Sequence, residues 1–477
     1  MSSQISFALL IPAILIMSNF GITLPNQAPP DPAADAARFE AVSKHLDPGG
    51  PLYAYVSVDG DLTAIGDFVG STLDEFRKVD PKVPFPPVDI SRILKISGMD
   101  EVSAVGFSSM RIENGFRNKT YIHAPGERQG LLRIMGDKSK PFDVVRMAPK
   151  GTDVAIQQDL NLKVVQEVAQ EVFGMVMGDK GQAMVQGMLK RPVGPFPFTL
   201  EKVLADSDTR ITMILDADPT KKVKMPKAKE LEIPQLQAVI TIDGLGWVAD
   251  NVVETLEKEL EKNKGRRAPP FTIVRNKDWI GMQVDLEAEA WGRKEKQILN
   301  LFGGQTPILA HHRSSKKLIL ATDKEFAEKL FTRKAVLGND AAFKKTMKDL
   351  PMEGTTLSYV SPSFFQMLRD VIEHITSQGK PGGAETLMVK TMLGLIIPAN
   401  AQGEGSVTTS SKDGILVVSN SAHSYKSRLV NPMFMGGLPA LFFTAIKPSH
   451  KASELEAVDS FPPELQEVLP SEAPDAE

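Results

Sequence analysis

The sequence predicts an α+β protein with duplicated modules of antiparallel sheet and packed amphipathic helices. A β-prone run followed by an amphipathic helical pattern occurs four times, and pairs of β-prone runs flank short turn-forming segments. Tight turns join antiparallel strands, whereas parallel strands need long crossovers. The four β-prone runs that precede helices are Leu52–Asp59, Val154–Asp159, Leu236–Asp243 and Leu357–Ser361.

Apolar residues follow each run at three- and four-residue steps, which is the spacing of one helical face. After the second run, for example, this face is formed by Val164, Val165, Val168, Val172 and Val176. Four strand-then-helix units are therefore expected.

Four residues at the strand-to-helix junctions have side-chain oxygens, namely Asp59, Asp159, Asp243 and Ser361. Such oxygens accept hydrogen bonds from the free N–H groups of a first helical turn. A repeated acidic site is the functional alternative. The sequence favours helix capping, because the serine can cap a helix but cannot replace a carboxylate.

Four hairpins are predicted from turn-forming residues between β-prone runs. Their strand pairs are Val105–Ile112 with Phe116–Ile122, Phe271–Val274 with Trp279–Val284, Ile308–Ala310 with Leu318–Ala321, and Val407–Thr409 with Ile415–Val418.

The N-terminus predicts export. Ile5–Leu24 contains no charged residue, as in a signal peptide or membrane anchor. The departure from a signal peptide is that no basic residue precedes Arg38.

A lysine-rich stretch separates two halves of the chain, and its alternative role is binding anionic polymers or lipid headgroups. The predicted segments are 1–30 signal peptide or anchor, 31–47 Pro/Ala-rich linker, 48–220 first repeat pair, 221–230 lysine-rich linker, 231–428 second repeat pair, 429–447 apolar segment and 448–477 acidic disordered tail.

The composition excludes several classes of function. A net charge of −4 gives no electrostatic basis for binding nucleic acid, and the chain has no cysteine for disulfides, thiolate catalysis or thiolate-bound metals. Phosphate-cradling loops, zinc-protease helices and serine-hydrolase elbows are also absent from the sequence. The adjacent histidines His311 and His312 are predicted at a surface hairpin tip, where neighbours on a strand cannot easily bind one metal. The sequence therefore predicts no catalytic, cofactor-binding or metal-ligating residue.

Methionines recur on apolar helical segments. Met175, Met177, Met184, Met188, Met388 and Met392 are predicted to fill the core. The alternative is an adaptable apolar groove for a lipid or peptide, since methionine side chains are flexible and polarisable.

The chain resembles a family of exported bacterial proteins known only as a domain of unknown function. Pro149-Lys-Gly-Thr152 through Val172, Pro351-Met-Glu-Gly-Thr355 through Ile375, and Leu318–Phe326 support the resemblance. It would span most of residues 48–428 and implies no activity and no catalytic residues.

The sequence predicts an exported, non-enzymatic envelope protein with a binding or scaffolding role, in the periplasm or outside the cell. Its expected partner is an envelope protein or an apolar ligand, with membrane association through 5–24 or, as an alternative, through 429–446. The competing functions are an envelope hydrolase, whose triad would be assembled from scattered residues, and a carrier of an apolar ligand in a methionine-lined groove.

Overall fold

The computed structural model describes residues 31–58, 60–79, 89–134, 136, 138–205, 209–225, 228–262, 270–286, 305–332, 335–378, 397 and 402–430. The strands in these ranges are β1 Leu52–Ser57, β2 Ala104–Ile112, β3 Gly115–His123, β4 Lys140–Pro141, β5 Val154–Leu160, β6 Thr209–Met225, β7 Ala228–Asp243, β8 Phe271–Arg275, β9 Trp279–Val284, β10 Ile308–His312, β11 Lys317–Ala321, β12 Glu353–Gly354, β13 Thr356–Val360, β14 Glu404–Ser411 and β15 Gly414–Ser421. The α-helices are α1 Pro32–Ser43, α2 Asp61–Val79, α3 Ile90–Ser97, α4 Val144–Met147, α5 Leu162–Met177, α6 Asp179–Lys190, α7 Leu200–Leu204, α8 Gly246–Lys262, α9 Lys324–Thr332, α10 Ala341–Thr346, α11 Pro362–Gln378 and α12 Tyr425–Val430. Short 3-10 helices are formed by Met99–Glu101, Gly130–Arg133 and Leu337–Asn339.

Within the described ranges, one 13-stranded antiparallel sheet organises the molecule. Its strand order is β1-β2-β3-β15-β14-β13-β5-β6-β7-β11-β10-β9-β8, and β4 pairs separately with β12. The α+β class is therefore confirmed. All four predicted hairpins are confirmed as well, because β2 pairs with β3, β8 with β9, β10 with β11, and β14 with β15.

Helices cover both faces of the sheet. On β3, Tyr121 packs in a cluster with Val42 and Leu46, which belong to α1 and the residues after it, whereas the next residue, Ile122, packs in a cluster with Leu62 of α2. Successive residues of a strand point to opposite faces. On β11, Leu318 packs in the same way under α8 and its neighbour Ile319 under α9. The core therefore consists of two apolar layers, one on each side of the sheet.

The predicted linker 31–47 is wrong, because Pro32–Ser43 forms α1. Asp31 caps this helix by accepting a hydrogen bond from the N–H of Ala33 at 3.0 Å, and proline at the first helical position loses no hydrogen bond. Val42 and Leu46 are then buried against the sheet. Burial of these apolar side chains stabilises the segment as a helix, although its Pro/Ala composition is typical of a linker.

The described residues of the stretch 221–230, which the sequence predicts as a lysine-rich linker, belong to strands β6 and β7. Residues 221–225 end β6 and residues 228–230 begin β7, and the two strands pair as one long hairpin, with Lys222 opposite Pro234 and Lys224 opposite Glu232. The predicted halves also interleave, because β13, β14 and β15 lie between β3 and β5.

Each predicted strand-then-helix step is present: β1 precedes α2, β5 precedes α5, β7 precedes α8 and β13 precedes α11. Within the described ranges, every helix is too short or too polar to span a bilayer. The predictions for 1–30, for 431–447 of the apolar segment and for the tail 448–477 concern residues outside the described ranges.

Candidate functional site

A cleft of about 1090 Å³ lies between α3, α5, the loop formed by the described residues 124–134, 136 and 138, and the turn that joins β14 to β15. Arg92, Lys95 and Ile96 of α3 form one wall. The opposite wall is the face of α5 whose residues recur at steps of three and four, namely Val164, Glu167, Val168 and Glu171. Helices α3 and α5 therefore form two walls of the cleft, and the loop lines it between them.

Close backbone contacts position the loop over the end of α3. Gly98 ends α3 with a φ of +73°, and a β-carbon there would overlap the carbonyl oxygen of Gln129. Gly130 has a φ of +51°, and its β-carbon would overlap the carbonyl oxygen of Ile96. Because glycine has no β-carbon, the loop can approach the helix this closely.

Basic side chains predominate in the lining. Six come from three separate segments: Arg92, Lys95, Arg128, Arg133, Lys138 and Lys412. The acidic residues in the lining are Glu127, Glu167 and Glu171. The cleft is thus locally positive in a chain whose net charge is −4.

Two of the arginines are held by protein groups. Arg128 donates to Ser410 Oγ at 2.9 Å and to the carbonyl oxygen of Gly414 at 3.2 Å, which attaches the loop to the β14–β15 hairpin. Arg133 donates to Glu167 Oε2 at 3.3 Å, which links the loop to α5. These arginines fix the walls of the cleft.

Four cations remain for a ligand. Arg92, Lys95, Lys138 and Lys412 are exposed, and none of them pairs with an acidic side chain among the described residues. Ammonium and guanidinium groups bind phosphates and carboxylates through charge-assisted hydrogen bonds. The apolar side chains of Ile96 and Val164 are buried behind them. The cleft is therefore chemically suited to bind an anion.

None of the cationic residues of the cleft was singled out by the sequence. They are spread from residue 92 to residue 412 and form no run or motif. The one local signal is the loop sequence Gly126-Glu-Arg-Gln-Gly130, in which two glycines flank Arg128. This pattern is too short to indicate a site without the fold.

The predicted cap Asp159 has a different role. Asn161, two residues later, caps α5 by accepting from the N–H of Val164 at 3.4 Å. Asp159 is still within β5, where its carboxylate binds Arg210 of β6. Burial would lower the pKa of Arg210, but hydrogen bonding and charge attraction to Asp159 raise it above its usual value. The capping prediction for Asp159 is wrong, because the strand extends to Leu160.

The other junction residues do not share one structural role. Asp243 forms an ion pair with Lys317 of β11, and α8 begins only at Gly246, so the capping prediction for Asp243 is also wrong. Ser361 does cap α11, because its Oγ accepts from the N–H of Phe364 at 3.0 Å. The same Oγ donates to Asp153 Oδ1 at 2.6 Å. Asp59 lies outside the described residues.

The adjacent histidines lie on opposite faces of β10, as the sequence predicts. His311 Nδ1 is 2.9 Å from Asp250 Oδ2 of α8. His312 stacks on Phe331 of α9, with ring centroids 3.9 Å apart. The predicted surface location is wrong, because His312 is buried and His311 is only 16% exposed.

Asp250 and His311 are paired as the carboxylate and the imidazole are in a hydrolase triad, where the carboxylate orients the imidazole base. A third member would be a hydroxyl at His311 Nε2. That nitrogen is buried and has no hydrogen-bond partner among the described residues. The dyad is thus not joined to a nucleophile in the described part of the chain.

The methionines of the α5–α6 pair are on the surface. Met177, Met184 and Met188 are 48%, 40% and 55% exposed, whereas Met175 is half-buried. The prediction that these side chains fill the core is therefore wrong for three of the four methionines that the structure describes, and Met388 and Met392 lie outside the described residues.

No group of three His, Asp or Glu side chains in the described ranges is arranged to hold a metal ion. The cleft between α3 and α5 is thus the candidate site with the clearest chemistry. Comparison of the chain with protein-family models, with curated proteins and with solved structures finds no match.

Proposed function

We propose that this chain is a non-enzymatic binding protein that holds an anionic ligand in the cleft between α3 and α5. The observation that supports this is the convergence of six basic side chains on one cavity, contributed by α3, the loop and the β14–β15 turn. Arg92, Lys95, Lys138 and Lys412 lack acidic partners among the described residues, so a ligand need not displace existing ion pairs to reach them.

The size of the cleft favours a ligand with several charges. About 1090 Å³ is slightly above the ~300–1,000 Å³ range of small-molecule sites. A single inorganic ion would contact one wall only. An extended anion, either an oligophosphate or an acidic oligosaccharide, reaches the cations of α3 and of the hairpin turn together.

The acidic residues restrict how such a ligand can lie. Glu167 and Glu171 are on α5, whereas the unpaired cations Arg92 and Lys95 are on α3. Anionic groups are attracted to the α3 side and repelled from α5. Hydroxyl or amino groups of the ligand would face the glutamates.

Calorimetric titration of the full chain tests the proposal. The probes are tripolyphosphate and an oligogalacturonate, which present phosphates and carboxylates respectively. We expect one of them to bind, and Arg92→Gln together with Lys95→Gln to weaken this binding about tenfold or more, equivalent to about 1.4 kcal/mol. Because the lysines and arginines are exposed, added salt should weaken binding by screening.

The matched control is Lys258→Gln with Lys262→Gln, which removes two exposed lysines from α8. This variant should bind as the wild-type chain does. Absence of binding for both probes, or equal loss in the α3 and α8 variants, would contradict the proposal.

The proposed compartment is the bacterial envelope or the exterior. It is supported by the uncharged segment Ile5–Leu24. Fractionation of cells that express the tagged full chain should recover it outside the cytosol. Recovery only in the soluble cytosolic fraction would contradict export.

We also infer that the chain is built from duplicated modules, like the exported family it resembles. The four strand-then-helix steps support this inference. In a crystal structure, the steps β5–α5 and β13–α11 should superpose as strand–helix units. Unrelated strand–helix angles would argue against duplication.

A further inference from the structure

The outer side of the α5–α6 pair exposes apolar side chains. The largest are Phe173, Val176, Met177, Met184 and Met188, which are between 40% and 55% exposed. We name this set the methionine face. Monomeric proteins rarely expose apolar side chains in contiguous groups without a binding role.

The exposed apolar residues lie on one side of each of the two helices. A β-carbon on Gly181 would overlap the carbonyl oxygen of Phe173, and one on Gly174 would lie 2.7 Å from Gln182 Cγ, so these positions mark the contact line. With 100° per residue, Met184 and Met188 lie on one side of α6, and Phe173 and Met177 lie on one side of α5. The residues of α5 that line the cleft point away from this side.

Cations flank the methionines. Lys180, Met184 and Met188 are spaced four residues apart, which is one stripe along α6, and Arg191 directly follows the last helical residue. Lys180 and Arg191 are exposed, whereas Gly181, Val185 and Leu189 on the inner side are buried. The acidic residue Asp179 begins α6 and projects away from the stripe by helical geometry.

We propose that the methionine face docks on the surface of an anionic lipid bilayer. Exposed methionine and phenylalanine side chains enter the boundary between headgroups and acyl chains, and lysine or arginine at the ends of the stripe contacts anionic headgroups. Flexible methionine side chains adapt to an irregular surface. The charge pattern favours a bilayer over an apolar peptide groove, because cations mark both ends of the stripe.

A site-specific fluorophore tests this proposal in the full chain. The chain has no cysteine, so Met188→Cys introduces the single attachment point for an environment-sensitive dye. Vesicles of equal parts phosphatidylglycerol and phosphatidylcholine should shift its emission to the blue, and a quencher in the bilayer should reduce its intensity. Vesicles of phosphatidylcholine alone should produce a much smaller change.

The matched control is Met352→Cys, since Met352 is 46% exposed and lies next to β12, far along the chain from this face. Its dye should remain in an aqueous environment. This control separates docking from tethering through another segment of the chain, which would bring the protein to vesicles without immersing Met188. Thermal unfolding of both labelled variants checks that each is folded.

Lys180→Gln with Arg191→Gln, made in the Met188→Cys chain, should lower the apparent partition coefficient about 30-fold with the anionic vesicles. Equal shifts at positions 188 and 352, no shift at 188, or equal shifts with neutral vesicles would overturn the proposal. A shift that grows with protein concentration in the absence of vesicles would also overturn it, because a second copy of the chain would then cover the face.

Discussion

Asp159 and Arg210 form a buried bidentate ion pair that joins β5 to β6. Arg210 Nε is 2.5 Å from Oδ1 and Nη2 is 3.1 Å from Oδ2 of Asp159, and the side chains are only 8% and 3% exposed. Arg210 Nη1 also donates to the carbonyl oxygen of Pro141 at 2.7 Å. Because both side chains are buried, water cannot replace either partner. The side chain of Arg210 therefore links β5 and β6 to Pro141, in the segment before α4.

Asp159→Asn should destabilise the protein by about 3–5 kcal/mol, because it leaves the Arg210 charge buried and uncompensated. The measurement is the free energy of unfolding from denaturant titration. Arg146→Gln is the control. It removes an exposed partner of Asp143 and should cost less than about 0.5 kcal/mol. A near-neutral Asp159→Asn, as a helix cap would give, would refute the role of the pair.

Asn161→Ala should destabilise the protein by about 1 kcal/mol, because Asn161 rather than Asp159 caps α5. Asn161→Asp should be close to neutral, since aspartate caps about as well as asparagine. Both values come from the same denaturant titrations. Equal losses in the two variants would mean that the amide has some other essential contact.

Local chemistry made the hairpins predictable. Asn114-Gly115 joins β2 to β3 as expected, and Gly115 has a φ of +118°, which glycine adopts readily. The cap positions failed for a related reason. The sequence predicts a strand that ends at Asp159, whereas β5 continues to Leu160, which moves the helix cap to Asn161.

Long-range pairing was not predictable from the chain. Nothing local to Lys222 indicates that it lies opposite Pro234 in a sheet, because strand partners depend on the whole topology. The set of residues that lines the cleft was likewise not predictable from the local sequence. Arg92 and Lys412 are far apart in sequence and line one cavity only after β15 pairs with β3.

His312 should make the stability of the protein depend on pH. Burial lowers its pKa below the ordinary value of 6.5, and the charges of His311 and Lys317 lower it further, although Asp278 opposes this change. Between the lowered pKa and 6.5, the unfolded chain binds more protons than the folded chain, so the free energy of unfolding falls as the pH falls through this window. Each unit of lowering corresponds to about 1.4 kcal/mol once the pH is below both values.

The test compares wild type with His312→Phe at pH 7.5 and at pH 5. Phenylalanine keeps the stacking on Phe331 but cannot be protonated, so the loss of stability on acidification should be smaller in the variant. His45 also has a pKa lowered by burial and stays in both proteins, which leaves a residual pH dependence. An identical decrease in the two proteins would show that His312 does not contribute.

Gly130→Ala should both destabilise the protein and weaken anion binding in the cleft. The added β-carbon would overlap the carbonyl oxygen of Ile96, at a φ of +51° that alanine rarely adopts. The loop must then move away from α3, and Arg128 and Arg133 move with it. We expect a loss of about 1–3 kcal/mol in unfolding free energy and weaker tripolyphosphate binding, should that be the probe that binds.

Gly126→Ala is the matched control for this change. Gly126 lies in the same loop with a φ of +114°, but a β-carbon there has no atom within 4 Å. Its cost should therefore be that of backbone strain alone, and the probe's affinity should change less than in Gly130→Ala. Equal effects of the two substitutions on affinity would show that the close contact between Gly130 and Ile96 does not shape the cleft.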